Sequence, residues 1–186
     1  MKRFAIFPLV LFLASCGEGD RLKPVSIETP RGTVAYKERV HPDDGKFEGG
    51  LRELSPAEIG RLQQSARDAS DFIARYVPSA QRQTDQLENL DTAFAAWLNS
   101  VDPMKESPDE VESVVGAAFG QYCIERLPVR WAVASDPRGT EFVLVGENPP
   151  SRSYPFAAVR YRIEDRKTDF IGALYEALVH IRKQAS

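Results

Sequence analysis

The fold is decided by residues 129–146, which read VRWAVASDPRGTEFVLVG. Apolar and small residues alternate with a period of two on both sides of DPRG, residues 136–139, as expected for two strands joined by a tight turn. If Ser135 pairs with Thr140, Trp131 lies opposite Leu144 on one face of the hairpin, and that face is predicted to point into the core. The opposite face carries the remaining positions, which are Arg130, Ala132, Ala134, Glu141, Val143 and Val145.

Three helices are predicted before this hairpin, because apolar residues there recur every three or four positions. SPAE, residues 55–58, and SPDE, residues 107–110, each combine a serine cap, a proline at the first helical position and a glutamate at the third. Each of these stretches is therefore expected to open a helix. The first helix is expected to reach about Val77, the second to cover about residues 84–99, and the third to end near Arg126.

After the hairpin, the alternation of apolar and basic residues predicts a third strand over about residues 156–163. This strand would place Arg160 and Arg162 on the same face. A last helix, capped near Thr168, would lay its apolar stripe over the sheet. The fold class is therefore α+β, with helices packed on a small antiparallel sheet of about three strands and a C-terminal helix covering that sheet.

Part of this pattern resembles a known family. Over about residues 85–182, a glycine-bearing helix is followed by a tryptophan-containing strand, an acidic-glycine turn, a second strand and a proline-led segment rich in arginine. The matching residues are Gly116, Gly120, Trp131, Asp136, Gly139, Pro155, Arg160 and Arg162. In this order they resemble the bacterial domain of unknown function 3806. The resemblance implies the α+β fold and adds no catalytic residues, because no activity is assigned to that family.

The N-terminus is organised like an export signal. Lys2 and Arg3 form a basic start, residues 4–13 form a ten-residue apolar run, and small residues follow. The run is shorter than the roughly 20 apolar residues that span a bilayer. Residues 1–15 are therefore interpreted as a signal peptide that is removed, rather than as a transmembrane helix.

A lipid attachment site is indicated directly after the apolar run. LASC resembles the bacterial lipobox in all four positions, which are Leu13, Ala14, Ser15 and Cys16. The resemblance implies cleavage before Cys16 and acylation of that cysteine. The covalent lipid would be a palmitate-type anchor, and it is the one cofactor-like group expected. Gly17 implies retention at the outer membrane in enteric-type bacteria, facing the periplasm. The alternatives are an ordinary secretory signal with a coincidental cysteine, or an apolar N-terminus of a cytosolic protein.

Between the anchor and the domain, residues 16–50 are rich in glycine, proline and charge and are expected to form a mostly irregular tether. Residues 33–40 alternate well enough for an edge strand. HPDDG, residues 41–45, brings one imidazole and two carboxylates together, but proline, aspartate and glycine in this order also make a turn, which we favour over a metal site. Residues 51–186 are expected to form a single α+β domain.

Composition limits the partners. The formal charge of the chain is −3, and removal of residues 1–15 would leave 22 basic against 27 acidic side chains, a charge of −5. This balance argues against nucleic-acid binding, which needs a basic surface. The expected partners are a membrane, held through the lipid, and an unidentified envelope protein, glycan or lipid.

No catalytic or metal-binding constellation is predicted. His41 and His180 have no sequence neighbours of the kind that a triad or metal site requires, and Cys123 is interpreted as a small buried thiol. The candidate binding face consists of Arg130, Arg160 and Arg162, and its alternative is an ordinary solvated sheet face. The favoured function is a lipid-anchored, non-catalytic binding or adaptor domain. The alternatives are a periplasmic immunity protein that neutralises a toxin and, third, an uncharacterised envelope enzyme.

Overall fold

The computed structural model describes residues 9–12, 21–29, 32–40, 50–136, 139–147 and 150–183. Within these ranges the helices are α1 Pro56–Tyr76, α2 Gln86–Asn99, α3 Pro108–Arg126, α4 Pro155–Asp165 and α5 Ile171–Lys183, with one turn of 3₁₀ helix at Ser79–Gln81. The strands are β1 Leu9–Phe12, β2 Arg21–Thr29, β3 Gly32–Val40, β4 Gly50–Arg52, β5 Val129–Asp136, β6 Gly139–Glu147 and β7 Pro150–Ser153. No helix in these ranges combines the length and the hydropathy needed to cross a bilayer.

The larger sheet is antiparallel, with the strand order β4–β5–β6–β7. The central hairpin has the predicted register, since Ser135 pairs with Thr140 and Trp131 with Leu144. The α+β class is thereby confirmed, but the sheet has four strands rather than about three. The additional strand is β4, a short segment at the start of the domain that pairs with β5.

Both predicted capping boxes are present. The Ser55 hydroxyl accepts a hydrogen bond from the Glu58 backbone N–H, and the Glu58 carboxylate accepts one from the Ser55 N–H at 2.8 Å. Ser107 and Glu110 repeat this exchange at the start of α3. These bonds satisfy N–H groups that have no partner inside the helix, so local sequence defines where α1 and α3 begin.

The main core lies between the helices and one face of the larger sheet. Its largest buried side chains include Trp97, Phe94, Phe119, Phe170, Leu90 and Leu144. Helix α3 comes close to the sheet because Gly120 leaves room for the ring of Trp131, and Gly116 leaves room for Phe156 on α4. Both glycines therefore allow α3 to pack closely against aromatic rings.

The opposite face of the sheet is also apolar. Ala132, Ala134, Val143 and Val145 form a second buried cluster, and Tyr154 packs against it. These four residues lie opposite the face that the sequence predicts to point into the core, but small and β-branched side chains between two strands bury readily.

The predicted strand over residues 156–163 is wrong, because this segment is helix α4. The third consecutive strand is instead β7, which ends at Ser153. Pro155 occupies the first turn of α4, where its missing N–H costs nothing, and Phe156 packs against the rings of Trp131 and Phe142. An eight-residue apolar alternation fits either structure, so packing against α3 decides the outcome.

The predicted cap of the last helix near Thr168 is also wrong. Helix α5 begins at Ile171, and the backbone N–H groups of residues 170–172 donate to the carboxylate of Asp91 on α2, at 3.2, 2.9 and 2.9 Å. The start of α5 is thus stabilised by a distant residue. The C-terminal end of α5 reaches the sheet, where Arg182 lies over Gly146.

A smaller sheet precedes the domain, with the strand order β1–β3–β2. The predicted strand at residues 33–40 is present as β3, but it is the central strand of three rather than an edge. β2 and β3 also lie against α5. The lipobox, Gly17 and the HPDDG stretch with His41 lie outside the described residues.

Candidate functional site

The three arginines of the predicted binding face do not share a surface. Arg130 lies on β5, whereas Arg160 and Arg162 lie on α4. Residues two apart on a helix point in nearly opposite directions, so Arg160 is exposed and Arg162 is only 2% exposed. The common strand face that the sequence predicted for these arginines is therefore wrong.

Arg160 forms ion pairs with two carboxylates. Its guanidinium lies 2.9 Å from Glu141 on β6 and 3.5 Å from Glu112 on α3. Burial raises the pKa of the Glu112 carboxyl above its ordinary value, and the charge of Arg160 opposes that rise. Arg160 thus links α3, α4 and β6, and its charge is balanced within the domain.

Arg162 has a structural position. Its guanidinium carbon lies 5.6 Å from the centre of the Phe170 ring, a cation–π distance. Burial lowers the pKa of Arg162, and the nearby Asp165 carboxylate opposes that shift. A cation enclosed in this way connects α4 to the start of α5 and is not available to a partner at the surface.

Arg130, in contrast, lines a cleft. The cleft has a volume of about 480 Å³ and lies where β5 begins and β6 ends, beside the last turn of α5. Its lining consists of Pro128, Val129, Arg130, Val145, Glu147 and Arg182. The volume is within the range of about 300–1,000 Å³ that is usual for small-molecule sites.

The charges in this cleft are unequal. Arg130 and Arg182 contribute two guanidinium groups, whereas Glu147 contributes one carboxylate. The Arg130 Nε and Glu147 Oε1 atoms are 3.7 Å apart, and the Glu147 side chain is 82% exposed. An exposed ion pair at this distance is weak, so both guanidinium groups lie beside the apolar walls of the cleft without a strong bond to Glu147.

Gly146 leaves space for the guanidinium group of Arg182. A Cβ atom at this position would lie 2.3 Å from Arg182 Nη1 and 2.6 Å from Ser151 Oγ. Any larger residue would therefore displace the guanidinium group. The lack of a side chain at Gly146 on β6 therefore allows the guanidinium group of Arg182 on α5 to lie at this position.

The structure places Cys123 and His180 on two different helices, α3 and α5. Cys123 is buried on α3, and burial raises its thiol pKa to about 12, which keeps it protonated at neutral pH. His180 is partly buried near the C-terminal end of α5. Among the described residues, no group of three or more histidine, cysteine, aspartate or glutamate side chains is arranged to hold a metal ion.

Sequence reasoning missed two residues that organise this region. Asp91 reads as an ordinary helix residue, and nothing near it in sequence indicates that it caps α5. Arg182 had a weak signal, since it is a basic residue in the last turn of a helix, where a cation is favourable. Its proximity to Arg130 arises only in the folded chain.

Comparisons with known proteins identify one crystal structure with a similar fold and indicate no activity. No family model matches the chain, and no curated protein matches it. The structure is similar to a crystal structure from Bacteroides thetaiotaomicron VPI-5482, with a TM-score of 0.56 and 13% sequence identity. The match covers 77% of this chain and 51% of that one, so this chain spans about half of its length. At this identity the likeness concerns the fold alone, and the resemblance to the domain of unknown function 3806 stays a prediction.

Proposed function

We propose that the chain is a lipid-anchored protein of the bacterial cell envelope whose folded domain binds a partner or ligand without catalysing a reaction. The observation that carries the anchor is the sequence Leu13–Cys16, placed directly after a basic start and a short apolar run. A thiol at this position is the acceptor of the lipid, and the domain follows the anchor on the same chain.

The anchor has a physical requirement that this site meets. One acyl chain holds a protein at a membrane only marginally, since each buried methylene contributes about 0.8 kcal/mol. Two chains on the Cys16 sulfur and a third on its amino group would make the attachment stable. The segment between Cys16 and β4, which contains β2 and β3, would then connect the lipid to the domain.

The binding role is supported by the cleft at the end of the sheet. It combines apolar walls with the guanidinium groups of Arg130 and Arg182, the mixture of surfaces found in ligand sites. All of the lining residues lie outside residues 1–15 and outside the lipobox. Residues of the anchor and of the cleft can therefore be tested separately.

The anchor is tested by expressing the full chain in bacteria supplied with an alkyne-bearing fatty acid. We expect the wild type to incorporate the label, to enter the detergent phase on phase separation, and to have lost 15 residues. Cys16→Ser should abolish the label and the processing. Cys123→Ser is the matched control, because it removes the other cysteine of the sequence, and it should remain labelled. An unlabelled wild type would disprove the anchor.

A further inference from the structure

The strand that covers one edge of the smaller sheet belongs to the segment that the proposed processing removes. β1 lies at the edge of this sheet and pairs in parallel with residues 34–37 of β3. We propose that removal of residues 1–15 turns this edge of β3 into a docking site for a short apolar strand of another envelope protein, which adds to the sheet in parallel with β3. The inference rests on the proposed removal of the signal peptide and does not depend on the cleft.

Loss of β1 frees main-chain groups of β3. A central strand directs its backbone N–H and C=O groups alternately to its two neighbours, so of the two partners that the described part of the chain gives to β3, only β2 would remain. An edge of this kind is a template for another strand. Extended peptides that add to such an edge gain affinity from main-chain hydrogen bonds.

The two edges of the sheet differ in sequence. β2 forms the other edge, and Pro24 lies within its nine residues. Proline has no N–H to donate, and it is one of the residues by which permanent edges avoid pairing with other chains. β3 contains no proline, and Val34 and Tyr36 are residue types enriched in paired strands. The sequence of β3 is therefore that of a strand with a neighbour on each side.

The segment that pairs with β3 in the full chain defines the occupant. β1 reads LVLF and also lies against α4. A strand between β3 and a helix is removed from water on two sides, which favours apolar residues. Pairing ends at Lys37, and Glu38 and Arg39 follow. Charged residues on an edge oppose further pairing, so the site is short.

The direction of β1 argues for a partner rather than a second copy of this chain. β1 runs parallel to β3. Two copies of β3 related by a two-fold axis would have to pair in antiparallel fashion, because the axis reverses the strand direction. A parallel apolar strand from a different protein reproduces the observed arrangement.

The test uses the full chain carrying Cys16→Ser, with a recognition sequence for a site-specific protease inserted after Ser15, in a neutral maltoside detergent. One portion is cleaved and freed of residues 1–15 through an N-terminal affinity tag, and the intact portion is the matched control. The probe is the fluorescent peptide KKLVLFKK, which carries the sequence of β1. Fluorescence polarisation should show saturable binding to the cleaved chain. Binding to the intact chain, in which β1 occupies the edge, should be weaker by about tenfold or more.

Two N-methylated peptides distinguish strand addition from apolar adhesion. One carries methyl groups on the amides that correspond to Leu9 and Leu11, and the other on those that correspond to Val10 and Phe12. In an edge strand, alternate N–H groups point to the neighbouring strand and the others point away. One of the two peptides should therefore lose about tenfold or more in affinity, and the other should bind like the parent peptide.

Hydrogen exchange locates the site on the chain. In the cleaved chain, alternate amides among residues 34–37 should exchange with solvent faster than in the intact chain, and the parent peptide should restore their protection. The amides of β5 and β6 pair in the larger sheet and should exchange at the same rate in both chains, which reports that the domain is folded.

The inference fails if the parent peptide does not bind the cleaved chain, or if it binds the intact chain equally well. Equal binding of the two N-methylated peptides would show that the backbone is not recognised. A cleaved chain that sediments as a dimer, with its edge amides protected in the absence of peptide, would assign the edge to a second copy. The protease removes residues 1–15 whether or not cells do, so failure of the proposed processing is seen separately in the acylation experiment.

Discussion

Replacing Gly120 with alanine tests the contact between α3 and the sheet. A Cβ at this position would lie 1.9 Å from Cζ2 and 2.3 Å from Cη2 of Trp131, whereas ordinary contact begins at 3.4 Å. The indole would have to retreat by about 1.5 Å. It packs against the rings of Phe142 and Phe156, whose centres lie 6.5 and 6.0 Å from its own and 5.8 Å from each other. Moving the indole to relieve the overlap would therefore disturb its packing against these two rings.

The magnitude follows from two opposing effects. Forcing extra volume into a packed region costs about 1–3 kcal/mol. Alanine is better than glycine in a helix by up to about 1 kcal/mol, which offsets part of that cost. We expect Gly120→Ala to lower the free energy of unfolding by about 1–2 kcal/mol. For a chain of this size the midpoint of thermal unfolding should fall by about 2–8 °C.

The assay is urea unfolding followed by tryptophan fluorescence, with calorimetry for the thermal midpoint. Gly60→Ala is the matched control, because a Cβ at this exposed position of α1 meets no atom within 4 Å. It should raise the free energy of unfolding by about 0.5–1 kcal/mol. In a Trp131→Leu background, Gly120→Ala should lose most of its cost. A Gly120→Ala protein as stable as Gly60→Ala would refute the proposed packing of α3 on Trp131.

Two further substitutions test the corrected parts of the fold. Asp91→Ala leaves three backbone N–H groups at the start of α5 without their acceptor and should cost about 3 kcal/mol by urea unfolding; a loss below about 1 kcal/mol would mean that α5 does not depend on this cap. Burial raises the pKa of Asp91, so the folded state holds the proton more tightly than the unfolded state. The stability difference between wild type and variant should therefore shrink as pH rises from the ordinary aspartate pKa through the raised pKa of the folded state. Arg162→Glu should unfold the domain at much lower urea than Arg160→Glu, since one side chain is buried and the other exposed; equal effects would contradict the helical assignment of α4.

Local sequence was sufficient where the forces are local. Ser55 and Ser107 open helices because their hydroxyls and the following glutamates satisfy backbone groups within four residues. The hairpin register followed from the alternation on either side of its turn, since one residue of slippage would reverse every side chain. Both patterns act within a few residues, so they can be read without knowledge of the rest of the chain.

The candidate site was predicted only in part. Arg130 was identified from its position on the hairpin, and it does line the cleft. Arg160 and Arg162 were assigned to the same face because residues 156–163 alternate as a strand would, but the helix separates the two. Arg182 and Gly146 were not identified, because a site shared by a helix end and a strand end has no spacing in the sequence.

By itself the sequence determined the two capped helices, the hairpin register and the α+β class, whereas the export signal and the lipobox stay predictions. Tertiary structure alone decided that residues 155–165 form a helix, that Asp91 caps α5, and that Arg130 and Arg182 share a cleft. The physical reason is that the free-energy difference between helix and strand is small for a short apolar segment. Phe156 packs against the rings of Trp131 and Phe142 and against Gly116 only when α4 is helical and the distant elements have come together. The free energy of this packing exceeds the small difference between helix and strand.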